Sequence, residues 1–408
     1  MRTLLIIGYT FPEPTTTAAG GRMMQLIQLF QEASFNIKFA STASVSEKSA
    51  PLKRLGISSE ILKLNDSSFD EFIITINPEI VIFDRYITEE QFGWRVSDNC
   101  PNAVKILDTE DLHFLRKARQ EAFKKTGDIT KANLYSETAK RELASILRCD
   151  CSLIISQFEI KLLTETFKIP KSFFWYLPLL IDEISEENID RFTPFEDRLG
   201  FMTIGNLLHA PNVDAVLYLK KSIWPLIKAK LPNATISIFG NYAPQQIKEL
   251  HNVKDGFLIK GWAESVIEVM SQARVCLAPL RYGAGIKGKI IDAVKNGTPV
   301  VTTPIGAEGI FDINTYPAVE DDALSFASAA IDLHEQKKNW LLAQQAGVKI
   351  CNTKFKKSCF SEAFIAHIKE LHVNLSKHRN EHFISQILQH QQLNTTKYMS
   401  KWIEEKNK

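Results

Sequence analysis

The residues best suited to chemistry form one contiguous run, Ala278-Pro-Leu-Arg-Tyr-Gly-Ala-Gly-Ile-Lys-Gly-Lys289. It reads as a strand ending at Pro279, a glycine loop, and a helix that begins near Ile286. Gly283, Gly285 and Gly288 permit positive φ and close approach of the backbone to a ligand. The first turn of the following helix offers free N–H groups and the positive end of a dipole. Lys287 or Lys289 adds a full charge beside it. Together these groups suit a pyrophosphate. A tight turn with solvated lysines would use the same three glycines, so the glycines alone do not decide. Asn296-Gly297 caps the helix, and the next strand follows over Thr298–Thr302.

Two further clusters sit where strands give way to helices. Gly8 to Arg22 joins the first strand to the first helix, with Gly20 and Gly21 at the helix start and Arg22 placed to meet an anion or water. Asp108-Thr-Glu-Asp-Leu-His113 follows the apolar run Val104–Leu107, which places an acid and a histidine where they can orient a substrate hydroxyl. Asp84-Arg-Tyr86 follows Ile80–Phe83 in the same way and is the weaker candidate. Between His113 and Lys125 lie Arg116, Lys117, Arg119, Lys124 and Lys125. These suit either a solvated helix face or contact with anionic lipid.

The elements that must position these groups alternate. Leu4–Ile7, Ile80–Phe83, Val104–Leu107, Leu153–Ile155, Ile236–Phe239, Val275–Leu277 and Pro299–Val301 are short continuous apolar runs. Such runs suit strands covered on both faces, as in a parallel sheet. Helical spacing lies between them, as in Met23, Met24, Ile27, Leu29, Phe30 and again in Val213, Val216, Leu217, Leu219. The fold class is therefore α/β with parallel sheets. The alternation occurs twice, from Leu4 to about Leu177 and again from Gly200. An acidic stretch, Ile181 to Arg191, separates the two series, with Pro178 and Pro194 on either side. The expected organisation is a first domain over 1–180, a linker over 181–199, a second domain over 200–375 and a polar helical tail over 376–408. Phe360, Phe364, Ile365, Ile368 and Leu371 predict a helix that closes the second domain or reaches back to the first. In the tail, Phe383, Ile384, Ile387 and Leu388 form a short amphipathic patch. Open parallel sheets bind ligands beyond the carboxyl ends of their strands, so the site is expected in the cleft between the domains.

Bulk properties exclude other classes. The 408 residues carry a formal net charge of +2, with 45% hydrophobic and 24% charged residues. These are values for a water-soluble globular chain, without the basic excess of a nucleic-acid coat. The six cysteines form no Cys-x-x-Cys pair and read as buried thiols. The apolar N-terminal run is short and is followed by Pro12, Glu13 and Pro14, unlike a secretory leader. No segment approaches the roughly 20 apolar residues of a membrane span. The expected location is the cytoplasm, with peripheral contact at the inner membrane face.

The segment from Cys276 to Pro304 resembles the C-terminal nucleotide-binding domain of the family 4 glycosyltransferases. The order is the same: a proline-ended strand, a Gly-Ala-Gly-Ile-Lys-Gly-Lys loop, a helix and Gly-x-Pro-Val-Val. The likeness continues through Ile305-Gly-Ala-Glu-Gly309 and upstream through Ile204-Gly-Asn206, His209 to Asn212 and Gly261. It implies the GT-B arrangement, with two Rossmann-like domains facing across a cleft, and here a C-terminal helical extension. It also implies transfer of a hexose-type sugar from a nucleoside-diphosphate sugar to a hydroxyl on a glycan, lipid-linked or protein-linked acceptor. Retention of configuration, no metal and no cofactor beyond the co-substrate are implied as well. No Asp-x-Asp motif calls for a metal. Lys287, His113 and Asp108 are the expected catalytic groups. Gly20, Gly21, Gly205, Asn206, Gly283, Gly285, Ile286, Asp292 and Glu308 are the expected donor-binding residues. One departure stands out. The family's pair of glutamates, eight positions apart, is replaced by Ala284 and Asp292, so a carboxylate for the donor sugar is missing. Two other functions fit the same sequence: a nucleotide-sugar 2-epimerase and a silent nucleotide-sugar-binding subunit. A dehydrogenase is disfavoured, because no Gly-x-Gly-x-x-Gly follows the first strand.

Overall fold

The computed structural model describes residues 2–312 and 315–407, with side chains at 392–394 left aside. Twelve strands form two all-parallel sheets among the described residues. The first has the order β3-β2-β1-β4-β5-β6-β7. Its strands are β1 (Thr3–Gly8), β2 (Asn36–Ser41), β3 (Ser58–Ile61), β4 (Ile80–Asp84), β5 (Val104–Asp108), β6 (Cys151–Ile154) and β7 (Phe174–Tyr176). The second has the order β10-β9-β8-β11-β12. It comprises β8 (Leu199–Ile204), β9 (Ile236–Phe239), β10 (Phe257–Gly261), β11 (Ala273–Ala278) and β12 (Val300–Thr302).

The apolar runs become strands, and those of β1, β4 and β5 form the centre of the first sheet. Leu4 to Ile7, Ile80 to Phe83 and Leu107 are wholly buried, because helices cover both faces of the sheet. Burying each such side chain contributes about 1.5–3 kcal/mol. Two first-sheet strands that the apolar pattern misses lie further out: β2 carries the polar Asn36 and Lys38, and β3 is exposed along its length. The register aligns Asp84 with Asp108 at the carboxyl ends of β4 and β5. Two acids are thus brought side by side beneath the cleft.

The chain crosses between the domains twice, and the crossings run together. The Ile181 N–H donates to Phe355 O at 2.9 Å, and the Lys357 N–H donates to Ile181 O at 2.7 Å. From there the chain returns to the first domain, earlier than the expected boundary at 375. The helix Ser361–Val373 packs Phe364, Ile365, Ile368 and Leu371 into a core shared with Leu26 and Phe30. The apolar face that predicts this helix is therefore filled by the N-terminal domain. The tail continues the same docking through polar contacts. Arg379 pairs with the buried Asp150 at 2.8 Å, Arg95 contacts Glu404, and Lys397 reaches Asp98 at 2.8 Å. Phe383, Ile384 and Ile387 of the expected patch face outward instead. All six cysteines are free thiols, and no described helix is long and apolar enough to cross a membrane.

Candidate active site

A cleft of about 770 Å³ lies between the two domains. Its C-terminal wall is built by the segment after β11. The helix there spans Gly288–Lys295 with Lys287 as its N-cap residue, two residues later than Ile286. Of the three glycines only Gly285 takes a positive φ, at 64°. A Cβ on it would lie 2.8 Å from the Asp111 Cβ, and one on Gly288 would lie 2.9 Å from the Ala18 Cβ. Both glycines admit the N-terminal domain to the loop. Gly283 faces the cleft without such a constraint.

Lys287 is 8% exposed, and its Nζ donates to Gly285 O at 2.8 Å. Glu308 Oε1 lies 4.0 Å away. Burial lowers the lysine's pKa, while Glu308 opposes that shift. An ammonium has three donors, so donors remain for a ligand. Lys289 Nζ donates to Asn212 Oδ1 at 2.7 Å, and burial lowers its pKa to about 8. Asp292 lines the cleft one turn along the helix. Burial raises its pKa, and Lys295 partly opposes the rise. Gly205 and Asn206, after β8, complete this wall. A Cβ on Gly205 would lie 2.7 Å from Asn212 Nδ2 and 2.8 Å from Lys289 Nζ, so glycine there leaves room for that pair.

The N-terminal wall is a layered charge network. Arg22 is buried and donates through Nε and NH2 to Asp108 at 2.8–3.1 Å, and through NH1 to Leu177 O at 2.9 Å. Above this pair sit Glu110, Asp111 and His113. His113 opens the helix His113–Thr126, with its Nε2 at 3.3 Å from Asp111 Oδ1. Burial drives its pKa down to about 4 against the pull of Asp111, so the imidazole is neutral at physiological pH. Burial alone would raise Asp111. Arg116, whose Nε donates to it at 2.6 Å, and His113 outweigh that and hold it well below the usual carboxylate range. Burial likewise lowers His209, across the cleft, to about 4.

The two walls are bolted together at the glycine loop. Arg119 donates to Gly283 O at 2.8 Å and forms a bidentate pair with Glu308 at 2.9 and 2.7 Å. Glu159 Oε1 accepts from Leu112 N and from Gly285 N, each at 3.0 Å. One carboxylate oxygen thus joins the start of an N-terminal-domain helix to the loop of the other domain.

The structure brings Lys287, His113, Gly21, Gly205, Asn206, Gly283, Ile286 and Asp292 into the cleft wall. Four other expected residues sit elsewhere. Asp108 is wholly buried beneath the floor, its carboxylate taken up by Arg22. Gly20 packs on the loop before it, where a Cβ would lie 2.5 Å from Glu13 backbone atoms. Gly285 holds the interdomain contact, and Glu308 faces Arg119. The basic cluster at 116–125 loses two cations to internal pairs, Arg116 to Asp111 and Arg119 to Glu308. Only lysines remain for a surface role. Sequence reasoning misses Glu110, Asp111, Glu159, Asn212 and the pairing of Arg119. Glu110 and Asp111 lie inside a segment that is singled out; Asp111 pairs locally with His113 and Arg116, while Glu110 Oε1 has no hydrogen-bond partner. Among the described residues no cluster of three or more His, Cys, Asp or Glu is arranged to hold a metal ion.

The architecture is that of the GT-B class. It matches sucrose-phosphate synthase from Thermosynechococcus elongatus with a TM-score of 0.70 at 13% identity, over 91% of this chain and 99% of that one. It matches Anabaena HepE, solved with UDP and glucose, with a TM-score of 0.67 at 11% identity, over 91% and 100%. The pneumococcal O-GlcNAc transferase GtfA, in complex with UDP and GlcNAc, gives 0.65 at 12% identity, over 91% and 99%. Residues 198–336 match the family model of Glycosyl transferases group 1. The match lies within the C-terminal domain, the part whose sequence resembles that type. A 44.6 kDa Klebsiella pneumoniae protein from the cps region is 26% identical over 141 residues, 33% of this chain. The match spans 36% of that relative's length.

Proposed function

We propose that the protein moves a hexose-type sugar from a nucleoside-diphosphate sugar to a hydroxyl acceptor, with retention and without a metal. The observation that carries this is the loop Gly283–Lys289, which lines a cleft between two Rossmann-like domains and sets two lysines and a helix N-terminus at one end of it. Solved GT-B relatives with UDP or a sugar bound support the choice of donor. The cps-region relative supports a saccharide acceptor in polysaccharide assembly.

In this reading the acceptor oxygen bonds to the anomeric carbon as the bond to the diphosphate breaks. The acceptor's proton leaves with the diphosphate. Charge grows on the leaving phosphate oxygens, so preorganised donors there lower the barrier most. Lys287, Lys289 and the free N–H groups at Gly288 are those donors, with Asn206 on the opposite loop. Asp292 accepts from the ribose. His113, neutral and oriented by Asp111, hydrogen-bonds the donor sugar or the incoming hydroxyl. Asp108 acts through Arg22, as a positioning residue for the floor. Retention follows from the family 4 resemblance. The cations facing the leaving group are the protein's own, which supports a metal-free reaction.

Ala284 favours one second reading, a silent nucleotide-sugar-binding subunit, since the loop lacks a carboxylate for the sugar. A thermal-shift screen with UDP, GDP and ADP, followed by donor turnover with the matching sugar nucleotide, separates the two. Transfer or slow donor hydrolysis is expected. Binding without either supports the silent subunit, and no shift with any nucleotide contradicts both.

A further inference from the structure

The cleft contains a carboxyl group that neither the fold nor the interdomain clamp uses. Glu110 sits just beyond β5, at the centre of a three-residue turn in which the Asp111 N–H donates to Thr109 O at 2.8 Å. Its φ is 61°, a left-handed conformation that a glutamate adopts only when its surroundings impose it. Both neighbours are fixed. Thr109 Oγ1 donates to Leu153 O at 3.0 Å, and Asp111 is held by Arg116 and His113. The turn presents Glu110 to the cleft, where it forms part of the wall. Its Oε1 is buried with no hydrogen-bond partner. Leaving a buried carboxyl oxygen unpaired is costly, and such a cost persists at sites where a ligand supplies the partner.

Neither nearby arginine hydrogen-bonds Glu110 Oε1. Arg22 donates to Asp108 and to the Leu177 and Pro178 carbonyls, and Arg85 Nε lies 3.6 Å from Asp84 Oδ1. Glu110 also lies against the loop that holds the diphosphate in the reading above. Its carbonyl oxygen is 3.3 Å from where a Gly285 Cβ would be. On the loop itself Ala284 lines the cleft with only a methyl group.

We propose that Glu110 binds the donor sugar, its carboxyl reaching from the N-terminal domain to hydrogen-bond a hexose hydroxyl while the diphosphate rests on the loop. This rests on the cleft being a nucleotide-sugar site. Burial, with the charges of Asp108 and Asp84, pushes the Glu110 carboxyl up to about 8 against Arg85 and Arg22. At neutral pH it is protonated, so it both donates to and accepts from a sugar hydroxyl.

The test uses the full chain and two uncharged variants, Glu110→Gln and Glu110→Met. Calorimetry measures UDP, GDP and ADP, each beside its glucose conjugate, and reads the affinity ratio of conjugate to bare nucleotide. A hydrogen bond to the sugar predicts that Glu110→Met lowers this ratio about tenfold, with bare-nucleotide affinity unchanged. Glu110→Gln, which still donates and accepts, keeps the ratio within about twofold. An unchanged ratio in Glu110→Met overturns the proposal. So does an equal loss for both ligands in both variants, which marks charge balance rather than contact. If Glu110→Met fails to melt cooperatively, Glu110→Ala takes its place in the same comparison. Absence of any nucleotide binding by the unaltered protein defeats the parent reading before Glu110 is tested.

Discussion

The two walls of the cleft are built on opposite plans. The C-terminal wall takes most of its chemistry from one segment, Gly283 to Asp292, in which neighbours in sequence are neighbours in space. The N-terminal wall collects Arg22 from the first helix and Glu110, Asp111 and His113 from beyond β5, and Glu159 clamps it to the loop opposite. One wall is a backbone cradle with cations beside it. The other is a buried set of paired acids and arginines whose geometry exists only once the sheet has formed. In the proposed reading this difference is a division of labour: the first wall would grip the diphosphate, and the second would orient what is attached to it.

The largest expected effect tests the first wall. Lys287→Ala removes a cation from the leaving diphosphate and should cut transfer by about 10²–10³-fold. A melting temperature close to that of the unaltered protein would show that the fold survives. Turnover within a few-fold of normal would remove Lys287 from the chemistry.

Next comes the seam between the walls. Gly285→Ala places a methyl group 2.8 Å from the Asp111 Cβ on a backbone with φ of 64°. The expected cost is about 1–3 kcal/mol, read in denaturant melts. Unchanged stability would mean that the loop and the N-terminal domain are less tightly joined than this contact requires.

What was legible in the sequence follows the same division. The runs Leu4–Ile7, Ile80–Phe83 and Val275–Leu277 predict strands because both faces of those strands are buried. The cradle is legible because a helix start, its glycines and its lysines are contiguous. Arg22 and Asp108 are both noticed, yet their pairing spans 86 residues, and no local pattern signals that each neutralises the other. Glu159 lies 126 residues from Gly285. On a helix surface it reads as an ordinary acid, and only the closed domains reveal its role. The helix Ser361–Val373 shows its apolar face in sequence but not the domain that fills it. Spacing fixes a helix face and says nothing of its partner.

A smaller effect separates diphosphate from ribose within the first wall. Asp292→Ala should weaken nucleoside-diphosphate binding about tenfold, the value of a hydrogen bond to a charged group. Equal affinity by fluorescence titration would place the ribose elsewhere. The smallest signal belongs to two histidines, one on each wall. His113 and His209 are both held to about 4 by burial. Each folded imidazole therefore stays neutral as pH falls through the ordinary value of 6.5, and takes a proton only near 4. Their ring signals in NMR should titrate there. Midpoints near 6.5 would mean that the cleft is more hydrated than its geometry indicates.

The most direct measurement is a calorimetric titration of UDP, GDP and ADP into the purified full chain and into Lys287→Ala. A diphosphate cradle on the C-terminal wall predicts saturable binding of at least one nucleotide, with affinity reduced about tenfold or more in the variant. No binding of any nucleotide, or equal affinity in the two proteins, would contradict it.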